Sequence, residues 1–366
     1  MIPINDLSRG YQLYREEYEK KAVEVLRSGW YILGKELENF ETEYAKALGE
    51  ECFCAGVDNG LDSIMIGLQA SGIKPGDEVI VQANGYIATM LGIMQCGAVP
   101  VFVEPDEYYQ LDANNIESAM TAKTKAVLVT HLYGMATRMD PIVEICRQKG
   151  LMLFEDCAQG HFATYKGRNA GLFGTASFFS FYPTKNFGGF GDAGGVVSHD
   201  PEIIQRVKTF RNYGSDYRYH NIEMGYNARL DELQAGLLRV KLSHIKELLA
   251  NRDHIAQAYL KGIRNPLIRL PKIPTECNHT WYQFVVQVDD QSRFREYLKE
   301  KGVGSDIAWK VPPYLQPVMV KKYGYQKGAF PITEEICDHI VSLPMMDHME
   351  EEEIDTVIRS VNEYEG

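Results

Sequence analysis

The chain has 366 residues, of which 45% are hydrophobic and 24% charged, with a formal net charge of -12. This length predicts a large domain joined to a smaller one, and the ordinary composition excludes a disordered chain. The acidic balance argues against a nucleic-acid binder, which needs clustered Lys and Arg. No apolar run approaches a membrane span, and Met1-Ile-Pro-Ile-Asn-Asp6 lacks both parts of a signal peptide, so a cytoplasmic protein is expected. The seven Cys are odd in number and irregularly spaced, which predicts buried thiols and neither a disulfide framework nor a metal site.

From about Asp58 to His199 short β-branched runs alternate with helical periods, the pattern of βα units and a mainly parallel sheet. Strands are predicted at Glu78–Gln82, Val99–Val103, Ala126–Thr130, Leu151–Glu155, Ala176–Phe181 and Gly195–Ser198. The segment from Ser180 to Gly195 is too rich in Gly for a helix or a plain strand and predicts a loop that lets backbone approach a ligand. An amphipathic period from Arg229 to about Ile263 predicts a long helix connecting two domains, residues 1–245 and 246–366. The remainder, with a strand near Tyr282–Val288 and helices near Arg293–Lys301 and Glu351–Asn362, reads as a small α+β unit.

Asp156 ends an apolar strand, and in open α/β sheets ligands bind beyond the carboxyl ends of strands. Taken singly it reads as readily as a helix N-cap, and Lys185 as a solvated loop lysine. The combination carries more: a strand-end carboxylate, an amine some thirty residues later, Ser180 between them, and a helix opened by Asn59-Gly60. Pyridoxal phosphate requires a carboxylate for its ring nitrogen, an amine for its aldehyde, and N–H and hydroxyl donors for its phosphate.

Long motifs then match a known family. Glu155-Asp-Cys-Ala-Gln-Gly-His161, Ser180-Phe-Tyr-Pro-Thr-Lys-Asn-Phe-Gly188, Gly191-Asp-Ala-Gly-Gly195, Arg211-Asn-Tyr-Gly-Ser215 and Gly225-Tyr-Asn-Ala-Arg-Leu-Asp-Glu-Leu-Gln-Ala235 resemble the DegT/DnrJ/EryC1/StrS sugar aminotransferases over nearly the whole chain. The resemblance implies fold type I, an aspartate aminotransferase-like α/β fold with a mostly parallel, mixed seven-stranded sheet and a smaller C-terminal α+β domain. It also implies a homodimer with shared active sites. Lys185 would hold pyridoxal 5'-phosphate and carry the proton, with Asp156 on the ring nitrogen. Gln159 would lie by the 3-hydroxyl and Tyr86 against the ring face. Gly60, Leu61 and Ser180 would hold the phosphate, joined by Asn227 from the partner subunit. Read from the residues alone, Tyr86 is also compatible with a buried core aromatic, Asn227 with an ordinary turn and His161 with a core histidine. His161, Tyr217, Arg218 and His220 are candidates for the nucleotide-sugar substrate.

The family usually has Ser-Gly-Thr at the first phosphate turn. Here Asn59-Gly-Leu-Asp62 resembles the members that aminate C3 of a dTDP-sugar. The resemblance implies glutamate as amino donor, and the turn implies transfer to C3 of a dTDP-3-keto-6-deoxyhexose, with C4 amination of a 4-keto sugar as the alternative. Ile307-Ala-Trp-Lys310 replaces a common Ile-His-Tyr-Pro, which implies an altered hexose pocket. Relatives that use the pyridoxamine form for dehydration carry histidine in place of the lysine, and a non-catalytic regulator on this fold would show erosion at Lys185, Asp156 or Ser180. All three are intact.

Overall fold

The structure, a computed structural model, describes residues 1–366. Seven strands form one sheet: β1 (Phe53–Val57), β2 (Glu78–Gln82), β3 (Val99–Val103), β4 (Thr124–Thr130), β5 (Met152–Asp156), β6 (Ala176–Ser180) and β7 (Gly194–Ser198). Their spatial order is β1-β7-β6-β5-β4-β2-β3. β6, β5, β4, β2 and β3 run parallel, while β7 is antiparallel to both β6 and β1. The six strands expected between Glu78 and Ser198 are therefore present, with ends displaced by at most two residues.

β1 lies outside the expected set because Phe-Cys-Ala-Gly-Val has little β-branching to mark it. Its Gly56 is a packing requirement, since a Cβ there would lie 2.8 Å from both Leu230 Cδ2 and Leu37 Cδ1. The long helix expected from Arg229 is two helices, Glu232–Ser243 and Ile245–Gly262, broken at His244. The His244 ring stacks on Tyr14, with centroids 3.7 Å apart, and the amphipathic period continues across the break.

Side-chain alternation explains the layering. Ile80, Val127 and Val129 face one core, whereas Val79, Val81, Ala126 and Leu128 face the other. Each such fully buried branched side chain contributes about 1.5–3 kcal/mol. A third core, built from Ile255, Phe284, Val286, Val341, Ile354 and Val357 among others, surrounds the antiparallel pair β8 (Phe284–Gln287) and β9 (Ile340–Leu343). All seven thiols are free; six are buried and Cys52 is partly so. No helix is long and apolar enough to cross a membrane.

Two buried carboxylates hold the frame. Glu155, beside Asp156, accepts the amides of Gly171, Phe173 and Gly174 at 2.7–2.8 Å and pairs with His131 Nε2 at 2.9 Å. Those bonds occupy the carboxylate of the buried His131, Glu155 and Cys157 group, which acts as a loop clamp. Glu41 accepts the Gly56 amide at 2.9 Å and pairs with Lys208 and Arg211, tying the edge strand to two helices. Removing one member of a buried ion pair strands its partner. Glu41→Ala is expected to cost about 3–5 kcal/mol, read as a lower urea midpoint.

Candidate active site

Three adjacent parallel strands deliver one side chain each to the same opening. Thr130 and Asp156 end β4 and β5 and are register partners, and Ser180 ends β6. With the helix Gly60–Ala70, the start of the helix Ile87–Gln95 and the loop after β6, they line a cavity of about 300 Å³. Tyr282, Gln283, Asp306, Ala308 and Trp309 close it from the C-terminal part of the chain.

Asp156 is buried, accepts Thr89 Oγ1 at 2.6 Å and takes the Ala158 amide at 3.0 Å. Burial pushes its carboxyl above the usual carboxylate range despite those bonds. A cationic partner would reverse that penalty. Lys185 sits on a turn closed by its own amide on the Tyr182 carbonyl at 2.9 Å, and its Nζ lies 4.6 Å from the centre of the Tyr282 ring. Gly188 closes this loop so tightly that a Cβ would lie 2.3 Å from the Tyr182 carbonyl oxygen.

The helix Gly60–Ala70 begins at the pocket wall. Asn59 caps it by accepting the Asp62 amide at 2.8 Å, and its carbonyl takes the Ser63 amide. The first two amides, of Gly60 and Leu61, are left for a ligand. A Cβ on Gly60 would lie 2.5 Å from Ser180 Cβ, so only glycine lets the helix start and the serine converge. Buried Thr130 Oγ1 and Gln283 Oε1, also on the wall, have no partner in the chain. This donor set fits pyridoxal phosphate: two helix amides and a hydroxyl for a phosphate, a desolvated carboxylate for a protonated ring nitrogen, and one lysine.

Of the residues expected from the sequence, Gly60, Leu61, Tyr86, Asp156, Gln159, Ser180 and Lys185 meet in this cavity. Tyr86 is 51% exposed at a helix N-terminus, so the core reading of this residue does not hold. Gln159 is oriented by its Oε1, which accepts the Tyr133 amide at 2.7 Å. His161 is not brought in. It is fully buried beneath β6, with Nδ1 on the Tyr44 hydroxyl and Nε2 on the Ser180 carbonyl, both at 2.9 Å. Tyr217, Arg218 and His220 lie on an exposed hairpin, where Tyr217 stacks on His220 and His220 bonds Asp216, and none of them reaches this cavity. Asn227 is likewise exposed and lies outside the cavity of its own chain.

Thr89, Thr130, Tyr282, Gln283 and Asp306 also line the cavity, and no motif in the sequence marks them. Only Thr89 carried a local signal, standing three residues after Tyr86 and so on the same helix face. Trp309 was visible as a departure. Its indole donates to the Asn84 carbonyl at 2.8 Å, and its ring lies 5.4 Å from that of Tyr86.

A model of the DegT/DnrJ/EryC1/StrS aminotransferase family matches residues 12–362. A relative from Aneurinibacillus thermoaerophilus, dTDP-3-amino-3,6-dideoxy-α-D-galactopyranose transaminase, is 43% identical over 100% of this chain and 99% of its own. The structure of DesV from S. venezuelae is 39% identical, with a TM-score of 0.96 over 99% of this chain and 98% of that one. The structure of NtdA from Bacillus subtilis, with bound cofactor PMP, is 29% identical, with a TM-score of 0.84 over 94% of this chain and 80% of that one. The chain belongs to the DegT/DnrJ/EryC1/StrS aminotransferase family and is a pyridoxal-phosphate-dependent enzyme of fold type I.

Burial lowers the His161 imidazole from its ordinary value to about 3. The unfolded chain then binds one more proton than the folded chain between pH 6.5 and about 3, so this residue erodes stability as pH falls through that window. Histidine-selective NMR is expected to show His161 neutral and untitrated at pH 5. A midpoint near 6.5 would instead place its ring in solvent contact.

Proposed function

We propose that the chain transfers an amino group from glutamate to C3 of a dTDP-linked 3-keto-6-deoxyhexose, with Lys185 and Asp156 as its catalytic residues. The observation that carries the catalytic part is the convergence of one lysine, one desolvated carboxylate and an open helix N-terminus in a single cavity. The sugar and its C3 position are supported by the activity for which the Aneurinibacillus thermoaerophilus relative is named and by the Asn59-Gly-Leu-Asp62 turn.

In this reading Gly60, Leu61 and Ser180 hold the cofactor phosphate, with the helix start contributing amides and partial positive charge. Tyr86 stacks on the ring face, Gln159 contacts the 3-hydroxyl side and Asp156 keeps the ring nitrogen protonated. Bound pyridoxal phosphate supplies an electron-poor ring that accepts charge from a deprotonated carbon. Lys185 Nζ removes the proton from the donor's α-carbon as general base, and later delivers a proton as acid while the sugar is aminated. One lysine serves both halves because donor and acceptor occupy the site in turn.

Asn227 completes the phosphate site of a second copy, which makes the active form a homodimer. Its exposure supports this, as do exposed Trp30, Tyr219 and Met224 on the same chain. On this view the hairpin bearing Tyr217, Arg218 and His220 also works on the partner's substrate. The division into residues 1–245 and 246–366 belongs to the same proposal and is supported by the break at His244 and the separate C-terminal core. Seven free thiols support a cytoplasmic location.

Lys185→Ala is expected to lower turnover by roughly 10²–10⁴ or more, because it removes the proton carrier. Mixing inactive Lys185→Ala with inactive Asn227→Asp chains then tests the shared site. Half the dimers should carry one intact site, recovering roughly a quarter of wild-type activity. No recovery after verified subunit exchange would return Asn227 to its own site.

The reaction position has its own test. Matched dTDP-3-keto and dTDP-4-keto 6-deoxyhexoses are offered with glutamate, and the new C–N bond is located by NMR. Amination at C3 is expected; preferential turnover of the 4-keto sugar would overturn that assignment and leave the aminotransferase standing.

A further inference from the structure

Trp281 and Tyr282 follow one another in the chain and face opposite ways. The Trp281 indole is 1% exposed and stacks on His279 and Phe284, with centroids 4.0 and 5.4 Å apart. Tyr282 is half-buried and lines the main cavity, with Lys185 Nζ over its face at 4.6 Å from the ring centre.

The turn between them is held in a conformation that bulky residues avoid. Trp281 has a φ of +55°, in the left-handed region. Its amide donates to His279 Nδ1 at 2.9 Å, its carbonyl accepts Arg252 Nη1 at 2.9 Å, and its indole N–H donates to Asp253 Oδ1 at 3.1 Å. On the facing loop Gly134 makes room, since a Cβ there would lie 2.6 Å from the Tyr282 amide nitrogen. The Thr280 amide on the Gly134 carbonyl at 2.7 Å and the Gln283 amide on the Tyr133 carbonyl at 3.1 Å close a bracket on both sides of Tyr282. Strain of this kind persists only where the surroundings over-determine it, and what it fixes here is one ring against one amine.

Lys185 needs such a partner. Asp156 is near enough to act on its charge, but the Asp156 oxygens already accept from Thr89 and the Ala158 amide. A lysine side chain is long and flexible, and an amine that leaves the cofactor in each half of the reaction must return to one carbon atom. A ring face attracts an ammonium but accepts none of its protons and fixes no single N–H direction. It therefore holds the amine in place without holding the proton, as a carboxylate partner would.

We propose that Tyr282 is a positioning residue for Lys185: the lysine amine rests on the ring face of Tyr282 whenever it is not attached to the cofactor. This rests on the reading of Lys185 as the cofactor lysine and adds what keeps its amine within reach of the carbon it serves. The ring carries the effect, and the phenol hydroxyl is dispensable.

The enzyme is loaded with pyridoxamine phosphate, the cofactor form that leaves every lysine free, and its ¹³C-labelled lysine side chains are observed by NMR. The Lys185 signal is identified by its loss in Lys185→Ala. Protons over an aromatic face move upfield, so this signal is expected upfield of the exposed lysines in wild type and Tyr282→Phe, and among them in Tyr282→Leu. In steady-state assays Tyr282→Leu is expected to lower kcat roughly 10–10²-fold, as a misplaced reacting group does, while Tyr282→Phe stays within about twofold of wild type. An unshifted Lys185 signal in wild type overturns the proposal without recourse to any Tyr282 variant. So does a shift that survives in Tyr282→Leu, a kcat unchanged in Tyr282→Leu, or an equal loss in Tyr282→Phe, which would assign the effect to the hydroxyl. Failure of the underlying reading shows separately, as a Lys185→Ala enzyme that keeps turnover and the visible absorption of lysine-bound cofactor.

Discussion

The buried carboxylate of Asp156 is the constraint on which the rest of this structure depends. A charge at the end of a central strand, cut off from solvent, is tolerable only where hydrogen bonds and an opposite charge compensate it. Thr89 and the Ala158 amide supply the bonds, and the remaining deficit is what a protonated ring nitrogen relieves. The strand cannot shift by one residue without turning Asp156 into the opposite face of the sheet. The register that pairs it with Thr130 therefore fixes both the site and the core.

Around that point the fold brings together groups that compete for space. The helix at Gly60 and the end of β6 at Ser180 approach so closely that no side chain fits between them. Backbone amides and a hydroxyl consequently converge on one volume. The loop bearing Lys185 is held from below by Asn186 Nδ2 on Thr280 Oγ1 at 3.1 Å, a contact that crosses to the C-terminal part of the chain. Loop conformation and the closing wall at Tyr282 and Gln283 are thus set by one set of bonds. His161 contributes indirectly, because its bond to the Ser180 carbonyl fixes the strand end whose hydroxyl faces the cavity.

The distribution of charge in the chain has the same local character. A net charge of -12 gives no hint of where cations gather, yet Lys241 and Arg252 meet Asp6 and Asp347 in a second cavity that Lys185 also lines. Such pockets arise where separate segments meet. Here these are the N-terminal segment, the Gly-rich loop, the two helices flanking His244 and the segment after β9.

The sequence by itself determined the strands from Glu78 to Ser198, because buried strands read as short β-branched or aromatic runs between turn signals. It also determined the family, because several long motifs stand in a fixed order. It singled out Asp156, Lys185, Ser180 and Gly60, whose roles follow from strand ends, a Gly-rich loop and a helix start. Only the tertiary structure decided that Tyr86 faces a cavity and His161 a core, since both lie in apolar surroundings along the chain. It alone brought in Tyr282, Gln283 and Asp306, over a hundred residues from Asp156, and separated the helices at His244 where the periodicity runs on unbroken. Local pattern reports which face of an element is buried; what that face meets depends on contacts between distant segments, and no period in the sequence encodes them.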